Sequence, residues 1–293
     1  MTTLSHQHFT SYDKALREIE NRIGDTKNLL ELLERLKGAK LGRYLIENRG
    51  INAFWTDVVV NFPLMSQAQK EILNLTDYDI EMLTHLPTLC ATQERFGIFK
   101  QEIAKLLMGN NTILVAPSGL LPEIVSQDFS DKTVHITACD IDAETQTLLK
   151  KRLQATPLES YVDYCCEDIF CFDRANRYDL VVSNGLNIYI ADSDRLKTLF
   201  AIFYSALRSK GVMITSFLTH PIGHPQSPWQ MDKIDQNKLL EQKRIFVDIL
   251  QATWSHFRSE AEMRKLLSDI GFIDIELILD RRGMFPTIKA IKP

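Results

Sequence analysis

The chain has 293 residues, of which 45% are hydrophobic and 25% charged, enough for one large domain and a smaller one. Its formal net charge of -4 supplies no basic field and gives no support to a nucleic-acid partner. The N-terminal Met-Thr-Thr-Leu-Ser-His-Gln-His lacks the apolar core of a signal peptide, and no run approaches the length of a membrane span, so the expectation is a cytoplasmic protein with no membrane partner.

From Ser11 to about Lys37, Leu16, Ile19, Ile23, Leu30 and Leu33 recur at three- and four-residue intervals, the stripe of an amphipathic helix. Arg43 to Glu47 and Ala68 to Leu75 continue as helices, and between them Phe54, Trp55 and Phe62 supply aromatic surface for packing, or else for one wall of a ligand pocket. Helical patterns return from Asp79, the last running from Thr92 to Met108, so residues 1–91 form an N-terminal helical region and 92–293 the main domain. Arg95 lies on that last helix, where it can reach a ligand carboxylate from above the sheet, although a solvated arginine on the helix surface is the commoner arrangement.

The stretch from Thr112 to Asp142 predicts a strand, a tight turn, a helix, a second strand and an acid. The apolar run Ile113 to Ala116 is broken by Pro117-Ser118-Gly119, and Pro122 suits the first turn of a following helix. The second strand, Val134 to Cys139, delivers Asp140 at the interval at which nucleotide-binding folds place a carboxylate for the two hydroxyls of a ribose. Asp142 is expected to cap the helix after it.

Beyond this unit, helix and strand signals alternate. Ala143 to Leu153 is helical, Tyr161 to Cys166 is a strand ending in Glu167-Asp168-Ile169, and Asp179 to Ser183 is a strand ending in Asn184-Gly185-Leu186-Asn187. Arg195 to Leu207 is a helix and Val212 to Leu218 a strand. An insert from 219 to 254 starts with an irregular stretch rich in Pro, Gly and His, and turns helical from Asn237 to Leu250. Ser259 to Ile270 is a helix closed by Gly271, and Phe272 to Leu279 and Thr287 to Ile291 are strands. The 5 cysteines, Cys90, Cys139, Cys165, Cys166 and Cys171, are odd in number and contain no Cys-x-x-Cys spacing, which suits reduced thiols and predicts no metal site.

From about Thr92 to Pro293 the chain resembles the class I S-adenosylmethionine-dependent methyltransferases. Tyr178-Asp-Leu-Val-Val-Ser-Asn-Gly-Leu-Asn is similar to that family's fourth strand and loop, and Leu207-Arg-Ser-Lys-Gly-Val-Met-Ile-Thr-Ser to its turn into the fifth strand. Ser259-Glu-Ala-Glu-Met-Arg-Lys-Leu-Leu-Ser-Asp-Ile-Gly-Phe is similar to its helix before the sixth strand. Asp280-Arg281-Arg282-Gly283 is too short to hold a crossover helix, so the last strand must return antiparallel. The resemblance implies a Rossmann-like α/β fold. Its seven-stranded sheet is mainly parallel with a reversed last strand, carries helices on both faces, and is joined to the N-terminal helical region.

The resemblance also implies roles. Ala116, Pro117, Ser118 and Gly119, at a helix N-terminus, would approach the methionine part of S-adenosylmethionine, and Asp140 would hold the ribose. Ile141 would pack on the adenine, Asp168 would accept from its amino group, and the N–H of Ile169 would bond a ring nitrogen. Asn184 and Gly185 would sit near the sulfonium, with Tyr189 adding an aromatic face. The chain departs from the pattern in its first turn: Val115 stands at the usual acid position, and Pro117 and Leu121 replace glycines. The methionine end must then be held partly by groups outside the turn, such as Arg95 or Asn184.

Direct displacement at the sulfonium carbon needs a general base only for a protonated nucleophile, and the candidates are Tyr189, His220, His224 and Asp280. His220 and His224 are separated by Pro221-Ile-Gly223 and cannot share one helical face, which argues against a metal. The helical N-terminal region and the insert, with Trp229, Met231 and Trp254, are expected to cover the mouth. That predicts methyl transfer to a small or medium-sized organic substrate, with a protein substrate left open. The alternative is a methyltransferase-like protein that binds a ligand or partner without catalysis. A nicotinamide-dependent oxidoreductase would need Gly-x-Gly-x-x-Gly after the first strand, which is absent.

Overall fold

The computed structural model describes residues 10–21, 24–107, 109–130, 132–252 and 256–293; Ile23, Met108 and Trp254 lie outside them. The chain divides into two compact units, one of residues 1–93 and 230–255 and the other of residues 94–229 and 256–293.

The first unit is helical: α1 (Tyr12–Glu20), α2 (Thr26–Gly38), α3 (Lys40–Asn48), α4 (Ala53–Asn61), α5 (Gln67–Leu73) and α6 (Asp77–His85). The single stripe expected from Ser11 to Lys37 is two helices, because the chain breaks at Gly24, whose φ of +122° no continuing helix adopts. Leu29, Leu32, Leu33 and Leu36 keep the stripe buried along α2. The N-terminus of α3 has only Ala39 as its cap residue, and its free donors are satisfied from a distance. The buried carboxylate of Asp79 accepts from the N–H groups of Lys40 (3.0 Å) and Leu41 (2.8 Å).

The 230–255 segment belongs to this unit through α10 (Gln236–Lys243) and a π-helical continuation, Arg244–Ile249, that buries Ile245, Phe246 and Ile249. A charged network fastens it: Tyr78 donates to Glu241 (2.8 Å), Lys238 pairs with Glu241 (2.7 Å) and Glu81, and Arg35 reaches Glu81 (2.8 Å) while lying over the Tyr78 ring.

Helix α7 (Pro87–Leu106) begins in the first unit and ends in the second. The second unit is a seven-stranded sheet of β1 (Asn110–Val115), β2 (Thr133–Cys139), β3 (Val162–Cys165), β4 (Tyr178–Ser183), β5 (Leu207–Ser216), β6 (Ile273–Ile278) and β7 (Thr287–Ile291). The order is β3-β2-β1-β4-β5-β7-β6, with only β7 antiparallel to its neighbours. α8 (Ala143–Leu153), α9 (Ser193–Ala206) and α11 (Glu260–Ile270) connect or precede strands. Short apolar runs in β1 and β4 end buried, as strands covered on both faces must be. The expected fold class, with its reversed last strand, is the one observed.

The helix expected to open near Pro122 does not form. Gly119 and Leu121 both take left-handed φ, +48° and +53°, and the chain passes from 119 to 127 in successive turns. After them the N–H groups of Ile124 and Val125 both return to the Leu121 carbonyl and that of Gln127 to Ile124, a mixture of turns that does not settle into one regular ladder.

The β6–β7 turn is held from both sides. Asp280, 3% exposed, accepts from the N–H groups of Phe285 (2.6 Å) and Arg282 (3.0 Å). Thr219 donates its hydroxyl to the Gly283 carbonyl (2.7 Å) and accepts from the Trp229 indole (2.9 Å). Gly283 has φ +71°, and a Cβ there would lie 2.5 Å from the Pro228 carbonyl oxygen. Gly283→Ala is therefore expected to cost about 2–3 kcal/mol, combining left-handed strain with a backbone clash. A thermal melt would check this.

Candidate active site at the ends of β1, β2 and β4

Parallel strands present their C-terminal ends along one edge, and the sequence-predicted residues fall there. Asp140 follows β2 and Asp168 follows β3. Asn184 and Gly185 follow β4, and the 116–119 turn follows β1. Ile141 is 40% exposed beside them.

The turn offers less than the sequence implied. The N–H of Ala116 donates to the Val182 carbonyl (3.0 Å) and that of Ser118 to the Cys139 carbonyl (2.8 Å). The N–H of Gly119 donates to Asp140 (3.0 Å), and Pro117 has none. No backbone donor of 116–119 is left for a ligand, and no helix dipole stands behind the turn. The expectation of free N–H groups at a helix N-terminus is corrected on both counts.

Asp140 is buried, and its second oxygen accepts from the Asp142 N–H (3.1 Å). Burial pushes its carboxyl above the usual aspartate value, against the pull of these N–H groups. A carboxylate has about four acceptor sites, so at least one remains for a ligand. Asp142 caps α8 through the Glu144 N–H (3.0 Å). Asp168 accepts from the Phe170 N–H (3.0 Å), which fixes the short 3₁₀ turn carrying Ile169.

Arg95 is the unusual group. It is 6% exposed, its Nε and Nη1 have no hydrogen-bond partner, and its guanidinium lies over the rings of Phe285 (4.6 Å) and Phe96 (5.5 Å). Burial lowers its pKa to about 10, opposed by the charge of Asp280. A Cβ built on Gly185 would lie 3.8 Å from both of its terminal nitrogens. The charged fork therefore stands at the mouth of β4. Its neighbour Asn184 accepts from the Ser216 hydroxyl (3.3 Å) but leaves its own buried Nδ2 without an acceptor.

The candidate bases separate. Tyr189 interacts with Arg95, but burial pushes its hydroxyl up to about 12, so it stays protonated at neutral pH. Asp280 has both oxygens engaged by the turn it holds. His220 and His224 stack face to face at 3.8 Å, and the other contacts of His220 are Phe257 and Glu262.

Two groups escaped the sequence reading. Asn187 donates to the Ser216 carbonyl (2.6 Å) but leaves Oδ1 buried and unpaired, and Thr215, paired with Ser183 across β4 and β5, has an unpaired buried hydroxyl. Asn187 stood in the quoted Asn-Gly-Leu-Asn segment, a usable signal; Thr215 is indistinguishable from any strand threonine. Arg258 completes this wall by donating to the carbonyls of Asn187 (3.2 Å) and Ile190, which fixes the loop that carries Tyr189.

This sheet order with one reversed strand is the fold of the class I methyltransferases. No family model matches the chain, and no curated protein matches it. Among solved structures, a polyketide synthase CMeT domain for citrinin aligns with 91% of this chain and 67% of its own (TM-score 0.53, 12% identity). A putative sarcosine dimethylglycine methyltransferase from Galdieria sulphuraria aligns with 69% of this chain and 86% of its own (TM-score 0.50, 11% identity). Both share the fold.

A protein of Bordetella parapertussis, described as a possible exported protein, is similar over the whole chain. It has 32% identity, a TM-score of 0.89, and coverage of 96% of this chain and 94% of that one. The chain belongs to the same family as that protein. The cytoplasmic location expected from the sequence is overturned by this relative, whose description points away from it. Among the described residues no helix is long and apolar enough to cross a membrane.

Proposed function

We propose that the protein binds S-adenosylmethionine along the ends of β1, β2 and β4 and directs its methyl group to a small or medium-sized organic substrate. The observation that carries this is the buried, incompletely bonded guanidinium of Arg95 beside Gly185. A desolvated cation with two idle donors is poised for a carboxylate, and the carboxylate of the methionine end supplies one in the place where the 116–119 turn offers no N–H. Asn184 Nδ2 adds a second donor, Asp140 accepts from the ribose hydroxyls, and Ile141 and Asp168 address the adenine. When bound, the cofactor supplies an electrophilic methyl group on a sulfonium.

The chain's own part is then orientation and exclusion of water, because direct displacement needs an aligned nucleophile above all. With Tyr189 protonated and Asp280 engaged by backbone, neither is placed to take a proton. That leaves His220 and His224 of the four candidates, so the nucleophile either arrives with a free lone pair or gives its proton to one of them or to a base brought by the substrate.

The closed 116–119 turn favours one second reading, a methyltransferase-like protein that binds the nucleoside without turnover. Calorimetric titration with S-adenosylhomocysteine tests the binding common to both. Saturable heat at one site is expected, and no heat at millimolar ligand would overturn it. Release of S-adenosylhomocysteine from S-adenosylmethionine in a substrate screen then favours catalysis over binding alone.

A further inference from the structure

One cluster of chemically capable side chains lies beside this site and has no part in it. Cys139 at the end of β2 and Cys165 at the end of β3 are register partners on adjacent parallel strands, and both are buried. Glu167 stands two residues further on. The Cys165 thiol donates to its carboxylate at 2.8 Å, and the Cys139 thiol points at its backbone carbonyl at 3.7 Å. The two sulfurs and a carboxylate oxygen all lie within 4.8 Å of one another. In a tetrahedral zinc site with Zn–S of about 2.3 Å, two sulfurs stand about 3.8 Å apart, so the cluster needs to close by about 1 Å at most.

Charge and composition point the same way. Two thiolates, a carboxylate and a divalent cation sum to -1, and the Arg174 guanidinium, whose Nη2 is 3.6 Å from the Cys165 sulfur, brings the cluster to neutrality. Soft thiolate ligands select zinc-like or cadmium-like ions over magnesium or calcium.

We propose that Cys139, Cys165 and Glu167 form a three-ligand site for a thiophilic divalent cation, with a fourth position open to solvent. On binding, two S–H bonds break, two metal–sulfur bonds form, and two protons leave to solvent. Sequence places the site one residue before Asp140 and one before Asp168, so the cation would clip together the two strand ends that carry those acids. Metal binding here does not depend on what those acids hold.

The test uses the full chain with its two exposed cysteines replaced, Cys166→Ser and Cys171→Ser, reduced and freed of metal, then titrated with cadmium. The ultraviolet sulfur-to-cadmium charge-transfer band is expected to saturate at one equivalent and to be displaced by zinc. It is lost in Cys139→Ser and in Cys165→Ser. Because those strand positions are buried, Glu167→Gln at a half-exposed position serves as the second variant. It is expected to keep its fold by circular dichroism and to need at least about tenfold more cadmium for half-saturation. No band at stoichiometric cadmium, or a folded Glu167→Gln that binds as tightly as the unsubstituted site, overturns the proposal.

Discussion

Arg95→Met is expected to make the protein more stable to heat while weakening its hold on S-adenosylhomocysteine about 10- to 100-fold. The two effects share one cause. A guanidinium that is 6% exposed, with Nε and Nη1 unpaired and its pKa drawn down to about 10, has lost its hydration without full compensation. Removing that charge relieves its desolvation cost, offset in part by the loss of its attraction to the buried Asp280 and Glu123 carboxylates. Methionine keeps the contact with Phe96 and Phe285, and Asp280 retains the N–H groups of Phe285 and Arg282. The ligand loses its charge-assisted bonds, each of about 1.5–3 kcal/mol, and a factor of ten corresponds to about 1.4 kcal/mol. Thermal melts and calorimetry on the same preparations check both halves. A drop in melting temperature would show that the guanidinium serves the fold instead.

Asp140→Ala is expected to behave oppositely, lowering stability by about 2 kcal/mol as well as binding. It strips the acceptor from the N–H groups of Gly119 and Asp142 and releases the turn after β1, and a buried donor left unpaired costs about 1–3 kcal/mol. Relief of a desolvated charge offsets part of this. Asp140→Asn, which keeps one carbonyl oxygen, separates the effects: its stability stays nearer the unsubstituted protein while ribose binding falls. Since the folded carboxyl is raised above its unfolded value, ionised Asp140 is a stability cost at neutral pH, and that cost declines as pH falls below the raised value and is gone below the unfolded one. Ribose hydroxyls need the ionised acceptor, so S-adenosylhomocysteine affinity falls over the same window, above the pH at which an ordinary aspartate would titrate. Titrations from neutral pH down past the ordinary aspartate value would show it; an affinity that falls only below that value would not fit.

Much of the fold was legible because periodicity and strand-end chemistry are local. Ile113 to Val115 and Leu180 to Val182 are runs that only a doubly covered strand explains, and Asp280 to Gly283 is too short for anything but a reversal. The missing helix after β1 was not legible, since Gly119 and Leu121 in left-handed conformations are a tertiary outcome that no spacing rule carries. The break at Gly24 was available in the sequence but was masked by a leucine stripe that continues in phase across it. The candidate site divides similarly. Asp140 and Asp168 announce themselves by position, whereas Arg95 is one arginine on a helix until its burial and idle donors are seen. Arg258 acts through Asn187 and Ile190, far away in sequence, and nothing in the sequence marks the Thr215 hydroxyl as buried and unpaired.

Under the assignment proposed above, Arg95 replaces the missing backbone donors of the first turn by holding the cofactor's carboxylate. The most direct measurement compares two ligands, S-adenosylhomocysteine and 5′-methylthioadenosine, which lacks the amino-acid end, on the unsubstituted protein and on Arg95→Met. The protein is expected to prefer S-adenosylhomocysteine by about tenfold or more, and the preference to vanish in Arg95→Met, with 5′-methylthioadenosine bound equally by both. A preference that survives the substitution, or a loss of both ligands in step, would contradict it.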